Sequence, residues 1–119
     1  MIPDLGQIKA LIVVFAMHGC GPCEEFLPRL AQKIDAAQKA GVPLHVWSPG
    51  EPIAPGEIPV LYYDAAAQSD ELQDFADRLG ITATPTTCLM TRGGTYKVEG
   101  SMAPDDIDRL LGAAQNANR

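Results

Sequence analysis

The sequence predicts an α/β fold: a mixed central sheet of about four strands flanked by three main helices, in the order β-α-β-α-β-β-α. Three observations carry this. Leu11–Ala16 (Leu-Ile-Val-Val-Phe-Ala) is an unbroken apolar run, as in an interior strand covered on both faces. Two stretches with apolar residues at three- and four-residue spacing follow it, each long enough for a helix. Near the end, two short strand-like runs meet across a glycine-bearing turn and lead into a third helix. At 119 residues the chain is read as one domain, 1–119, with 46% apolar and 20% charged residues, which excludes a disordered tail, a collagen-like repeat and a coiled coil. Its longest apolar run, Ala10–Met17, is far short of a membrane-spanning helix. Nine basic against 15 acidic residues leave a net charge of −6, with no basic cluster, so neither nucleic acid nor an anionic membrane is an expected partner.

The first helix is placed at Pro22–Ala40, with Phe26, Leu27, Leu30, Ile34 and Ala37 on its buried face and Pro28 expected to kink it. Glu24 and Glu25 suit the positive end of its dipole. From about 41 to 59, Gly41, Pro43, Pro49, Gly50, Pro52, Pro55, Gly56 and Pro59 crowd into a stiffened surface connection, with room for a short strand at Leu44–Trp47. A strand follows at Pro59–Tyr63, in which Tyr62 and Tyr63 read as covered on both faces. Asp70, with Gln73 three residues later, resembles a capping arrangement opening the second helix, which Gly80 stops. Thr86–Met90 and Tyr96–Glu99 form a hairpin across Arg92-Gly93-Gly94. The last helix starts at Pro104, and the chain is expected to fray over Gln115–Arg119.

Between the first strand and first helix stands Cys20-Gly21-Pro22-Cys23. A C-x-x-C opening a helix in a β-α-β setting is the spacing of a dithiol redox site. One helical turn brings the two sulfurs within bridging reach, and the unpaired N–H groups at the helix start favour thiolate over thiol. Pro22 fits the first turn and stiffens the loop. His18, two residues ahead of Cys20, is a candidate modulator of its pKa. Zinc is the main rival use of the pair, but it needs four ligands, and the sequence offers only Cys88, His18 and His45 besides. No metal and no bound organic cofactor are therefore expected.

On these residues the chain resembles the thioredoxin family, from Leu11 to Leu111. Cys20-Gly21-Pro22-Cys23 matches that family's Cys-Gly-Pro-Cys, and Pro28 stands where its first long helix carries a proline. Ile81-Thr82-Ala83-Thr84-Pro85-Thr86 resembles the segment whose proline is cis beside the active-site disulfide, and Gly100 resembles the substrate-groove glycine. The resemblance implies a thioredoxin-like fold and a thiol–disulfide oxidoreductase. Cys20 would be the attacking and Cys23 the resolving thiol, with Thr84, Pro85 and Gly100 binding the substrate chain. The implied partners are protein disulfides and an external reductant, either a thioredoxin reductase-like flavoprotein or a glutathione system, serving a monomer. The departures are Gly19 for the tryptophan before the first cysteine, Val14 for a buried acid, and Glu24 where a lysine is common. The short segment ahead of Leu11 implies that the family's usual first strand and helix are missing or reduced to a turn.

The other chemistry-bearing residues have plainer readings. Cys88 reads as a small buried apolar residue, with a regulatory thiol as the alternative, and Trp47 as cover for a sheet edge rather than part of a partner groove. Asp64, Asp70, Glu71, Asp74 and Asp77 read as a solvated surface, and Asp105, Asp106 and Asp108 as dipole partners of the last helix. Three cysteines and no charged leader point to a reducing, cytoplasmic setting. A second reading of function is a redox-idle binding module that uses the same scaffold to hold a partner protein.

Overall fold

The computed structural model describes residue 6 and residues 8–48, 50–66 and 69–119. Along the chain run β1 (Ala10–Ala16), α1 (Gly21–Lys39), β2 (Leu44–Val46), β3 (Ile58–Asp64), α2 (Asp70–Leu79), β4 (Thr86–Thr91), β5 (Gly94–Glu99) and α3 (Pro104–Ala117). One five-stranded sheet holds them in the order β2-β3-β1-β4-β5. The short strand in the proline-rich connection does form, so the sheet has five strands rather than about four. β1 is central, parallel to β3 (Val14 beside Tyr62) and antiparallel to β4 (Val14 beside Thr87).

The two-residue period of β1 sorts its side chains between two cores. Ala10, Ile12 and Val14 join Phe26, Leu30 and Ile34 of α1 and Ile107, Leu110, Leu111 and Ala114 of α3. Leu11, Val13 and Phe15 join Leu61, Tyr63, Trp47 and Phe75 of α2 on the other face. Both faces are thus dry, which is why β1 carries no polar residue. Each fully buried Leu, Ile or Phe contributes roughly 1.5–3 kcal/mol of transfer free energy. Phe15, Tyr63 and Phe75 add a three-ring cluster with centroids 5.5–6.2 Å apart.

Several local expectations are corrected. α2 is capped by Ser69, whose side chain accepts the Leu72 N–H, and not by Asp70, which is already helical. Its C-cap, Gly80, has φ +69°, the left-handed conformation that favours glycine there. α3 runs through Ala117 instead of fraying from Gln115. The Asn118 side chain donates to the Gly56 carbonyl at 2.8 Å and ties that end to the connection. α1, by contrast, runs as expected through Pro28 to Lys39, whose ammonium pairs with Asp35 at 2.9 Å. Tyr62 is not covered on both sides: it remains 38% exposed while Tyr63 is 9% exposed.

The connection packs along the β2 edge. Trp47 is buried in the second core and donates its ring N–H to the Glu51 carbonyl at 3.0 Å. Glu51 in turn accepts the Ser48 N–H at 2.7 Å and meets His45 at 3.1 Å. Pro49 lies outside the described residues, as does most of the segment ahead of Lys9, where the missing first strand and helix were expected.

Candidate active site

β1 ends at Ala16, and the chain must turn sharply to start α1 at Gly21. Gly19, at φ +81°, makes that turn in a conformation that side chains with a Cβ rarely adopt. Cys20 follows as the N-cap of α1, extended at φ −84° and ψ 113°. Gly21 and Pro22 open the helix, where Pro22 forfeits no hydrogen bond because the first turn's N–H groups have no partners within the helix.

Cys20 and Cys23 form a disulfide across that turn, with Cα atoms 5.2 Å apart. The Cys23 N–H donates to the Cys20 Sγ at 3.2 Å, so a sulfur fills the role that a Ser or Asp oxygen has at other helix starts. Cys20 is partly exposed, whereas Cys23 is 1% exposed. The two sulfurs are therefore unequal: one meets solvent and the helix N-terminus, the other the interior.

The segment before β4 completes one side of the site. The Thr84–Pro85 peptide is cis, as the resemblance implied. The Thr84 hydroxyl donates to the Cys20 Sγ at 3.5 Å, and the Thr84 carbonyl oxygen lies 3.6 Å from the same sulfur. The Pro85 carbonyl accepts the Gly100 N–H at 2.8 Å, and Gly100 has φ +87°. Cys20, Thr84, Pro85 and Gly100 are thus brought together from three chain segments. Arg29 of α1 donates to the Met102 carbonyl at 2.9 Å and fastens the Gly100 loop to the helix that carries the cysteines.

On the other side, Cys23 lines an open cleft of about 380 Å³. Its walls include Met17, Gly19, Leu27 and Tyr62, with His18, Glu24 and Asp64 also bordering it. His18 is exposed, and among the described residues no hydrogen bond joins it to either sulfur, so the structure puts it at the cleft rather than on Cys20. Burial pushes the Tyr62 phenol above its ordinary range. Val14 is fully buried in the first core, so the strand beside α1 presents a methyl-lined wall at that position. Sequence reasoning missed Met17, Leu27 and Tyr62 as parts of the site. The signal was present in Gly19, which brings no side chain into the space beside the disulfide.

Cys88 is the free thiol, fully buried in β4, and burial pushes it up to about 11. It fits the apolar-residue reading. Among the described residues no group of three or more His, Cys, Asp or Glu converges closely enough to hold a metal ion.

The sequence matches the pattern of a thioredoxin-like domain over residues 5–115. Among solved structures, the oxidized form of mitochondrial thioredoxin 3 from Saccharomyces cerevisiae is similar, at 23% identity and a TM-score of 0.60 over 90% of this chain and 80% of that one. A chain from work on the thiol resolving mechanism in yeast mitochondrial 1-Cys peroxiredoxin via glutathione/thioredoxin systems gives 23% and 0.58, again over 90% and 80%. Fasciola hepatica thioredoxin gives 20% and 0.56 over 89% of this chain and 81% of that one. No curated protein matches by sequence. The identities to the solved structures are low enough that they establish the fold alone, while the domain pattern spans nearly every residue. The chain belongs to the thioredoxin-like domain family.

Proposed function

We propose that this protein is a thiol–disulfide oxidoreductase that reduces protein disulfides. The observation that carries the reading is the unequal pair at the start of α1: Cys20 Sγ, partly exposed and facing the Cys23 amide, and Cys23, enclosed one turn later. In the reduced protein, the amide and the helix dipole favour the Cys20 thiolate, the nucleophilic form. That thiolate attacks one sulfur of a substrate disulfide, forming a Cys20–substrate bond and releasing the other substrate sulfur as thiolate. Cys23 then loses its proton and attacks Cys20. This forms the Cys20–Cys23 disulfide and expels the second substrate thiolate. Two electrons and two protons pass to the substrate, and an external dithiol or glutathione reductant returns them. The similarity to a chain studied with glutathione/thioredoxin systems supports that class of reductant. Thr84, beside Cys20, and Gly100, bonded to Pro85, are both exposed in part, and in this reading they meet the substrate backbone. Such reductive turnover suits a cytoplasmic setting.

The test is reduction of insulin by the chemically reduced protein. Wild-type protein reduces it, Cys20→Ser is inactive, and Cys23→Ser accumulates a mixed disulfide through Cys20 that mass spectrometry locates. Intact biological activity in Cys20→Ser, together with no insulin reduction by wild type, would establish the redox-idle binding module instead.

A further inference from the structure

The Thr84 side of the disulfide has an assigned task in the reading above; the cleft on the Cys23 side has none. Its walls are large apolar side chains left open to solvent: Met17 is 43% and Tyr62 38% exposed, with Leu27 half-buried between helix and strand. Its mouth is kept clear by Gly19, where an added Cβ would meet nothing within 4 Å but would have to adopt φ +81°. At about 380 Å³ it lies within the usual range of ligand pockets, roughly 300–1,000 Å³, and has room for one aromatic side chain. Two exposed carboxylates, Glu24 and Asp64, border it together with His18, and among the described residues no Lys or Arg does.

Accepting the protein-disulfide reductase reading, we propose that this cleft is a specificity subsite that takes an aromatic side chain flanking the substrate's disulfide cysteine, preferring a neighbouring basic residue. Geometry favours a polypeptide occupant. A substrate chain held at Thr84 has its cysteine at Cys20, and the next residue need only cross the disulfide to reach the pocket that Cys23 lines. Met17 and Tyr62 supply an adaptable thioether and a ring face, both suited to aromatic contact. Glu24 and Asp64 supply the charge that a lysine or arginine complements, and the protein's net charge of −6 steers in the same direction.

The experiment uses four disulfide-linked synthetic peptides, with Phe or Gly next to the cysteine and Lys or Glu beyond it. Second-order rate constants for their reduction by the pre-reduced protein are measured in single turnover, alongside insulin. Filling an apolar pocket with a ring is worth about tenfold or more, so Phe–Lys should outpace Gly–Glu by at least that factor. The Phe/Gly ratio should fall towards one in Tyr62→Ala. The Lys/Glu ratio, about threefold for exposed charges, should fall in Glu24→Gln, an exposed change that leaves the core untouched. Equal rates for all four peptides, or ratios unmoved by both substitutions, overturn the subsite while leaving the reductase reading intact. Failure to reduce any peptide or insulin overturns both.

Discussion

Two adjacent threonines in β4 should respond in opposite directions to the same substitution. Thr86 and Thr87 are both fully buried. The Thr86 hydroxyl donates to the Ala83 carbonyl at 2.7 Å. The Thr87 hydroxyl, on the opposite face and cross-strand from Val14, has no hydrogen-bond partner among the described residues. Valine has nearly the shape of threonine, so Thr→Val tests the hydroxyl with little change in packing. At Thr87 it removes an unsatisfied group whose desolvation costs about 1–3 kcal/mol, and adds a buried methyl worth roughly 0.8 kcal/mol. Allowing for the polar contacts that a hydroxyl regains in the unfolded chain, Thr87→Val should stabilise by about 1–2 kcal/mol. At Thr86 the change deletes a made hydrogen bond; because Ala83 is exposed its carbonyl can turn to water, and the loss is about 0.5–1.5 kcal/mol. The assay is urea unfolding of both oxidised variants, with unchanged m-values required for the comparison. In thermal melts the pair should differ by several degrees, since each kcal/mol moves Tm by roughly 3–6 °C at this size. If Thr87→Val lowers stability by more than about 0.5 kcal/mol, the hydroxyl is not a burden and the reasoning is wrong.

Two further outcomes are expected. Ser69→Ala removes the oxygen that receives the Leu72 N–H and should cost about 0.5–1 kcal/mol in urea unfolding, whereas Asp70→Asn should cost less; the reverse order would restore Asp70 as the cap. Burial raises the folded Cys88 thiol from its usual 9.0 to about 11, with Lys97 opposing in part. Folded protein then holds that proton where unfolded protein has released it. Stability is full below about pH 9 and declines as pH climbs towards 11. Urea midpoints across that range should fall less steeply in Cys88→Ala, and identical slopes would refute the assignment.

Much of this architecture was legible in the sequence because single physical rules decide it. The run Leu11–Ala16 is apolar on both faces, and the structure puts a core against each. Cys20-Gly21-Pro22-Cys23 opens a helix, and the spacing alone brings the sulfurs together. What escaped depends on the third dimension. Tyr62 continues the alternation of Ile58 and Val60, yet stays open because α1 begins beside it with Gly19 and a disulfide in place of bulk. Ser69 outcompeted Asp70 as cap because the helix starts at Asp70, one residue earlier than the acid-and-glutamine spacing suggested. The short strand that the sequence allowed at Leu44–Trp47 forms over Leu44–Val46, paired with Ile58–Val60; only this pairing partner lay beyond the sequence.

The Thr84 hydroxyl's bond to Cys20, the Gly100 N–H's bond to Pro85 and the Arg29 bond to Met102 close a loop, because Arg29 and Cys20 belong to the same helix or its cap. The Thr84 segment, the Gly100 loop and the start of α1 are thereby tied to one another. On the proposed reading, a substrate chain would find its seat ready-made and pay little ordering entropy for docking. The opposite wall, built of bare Met17 and Tyr62 side chains, is left as the adjustable part, so on that same reading tolerance for different substrates would reside there and not along the Thr84 rail.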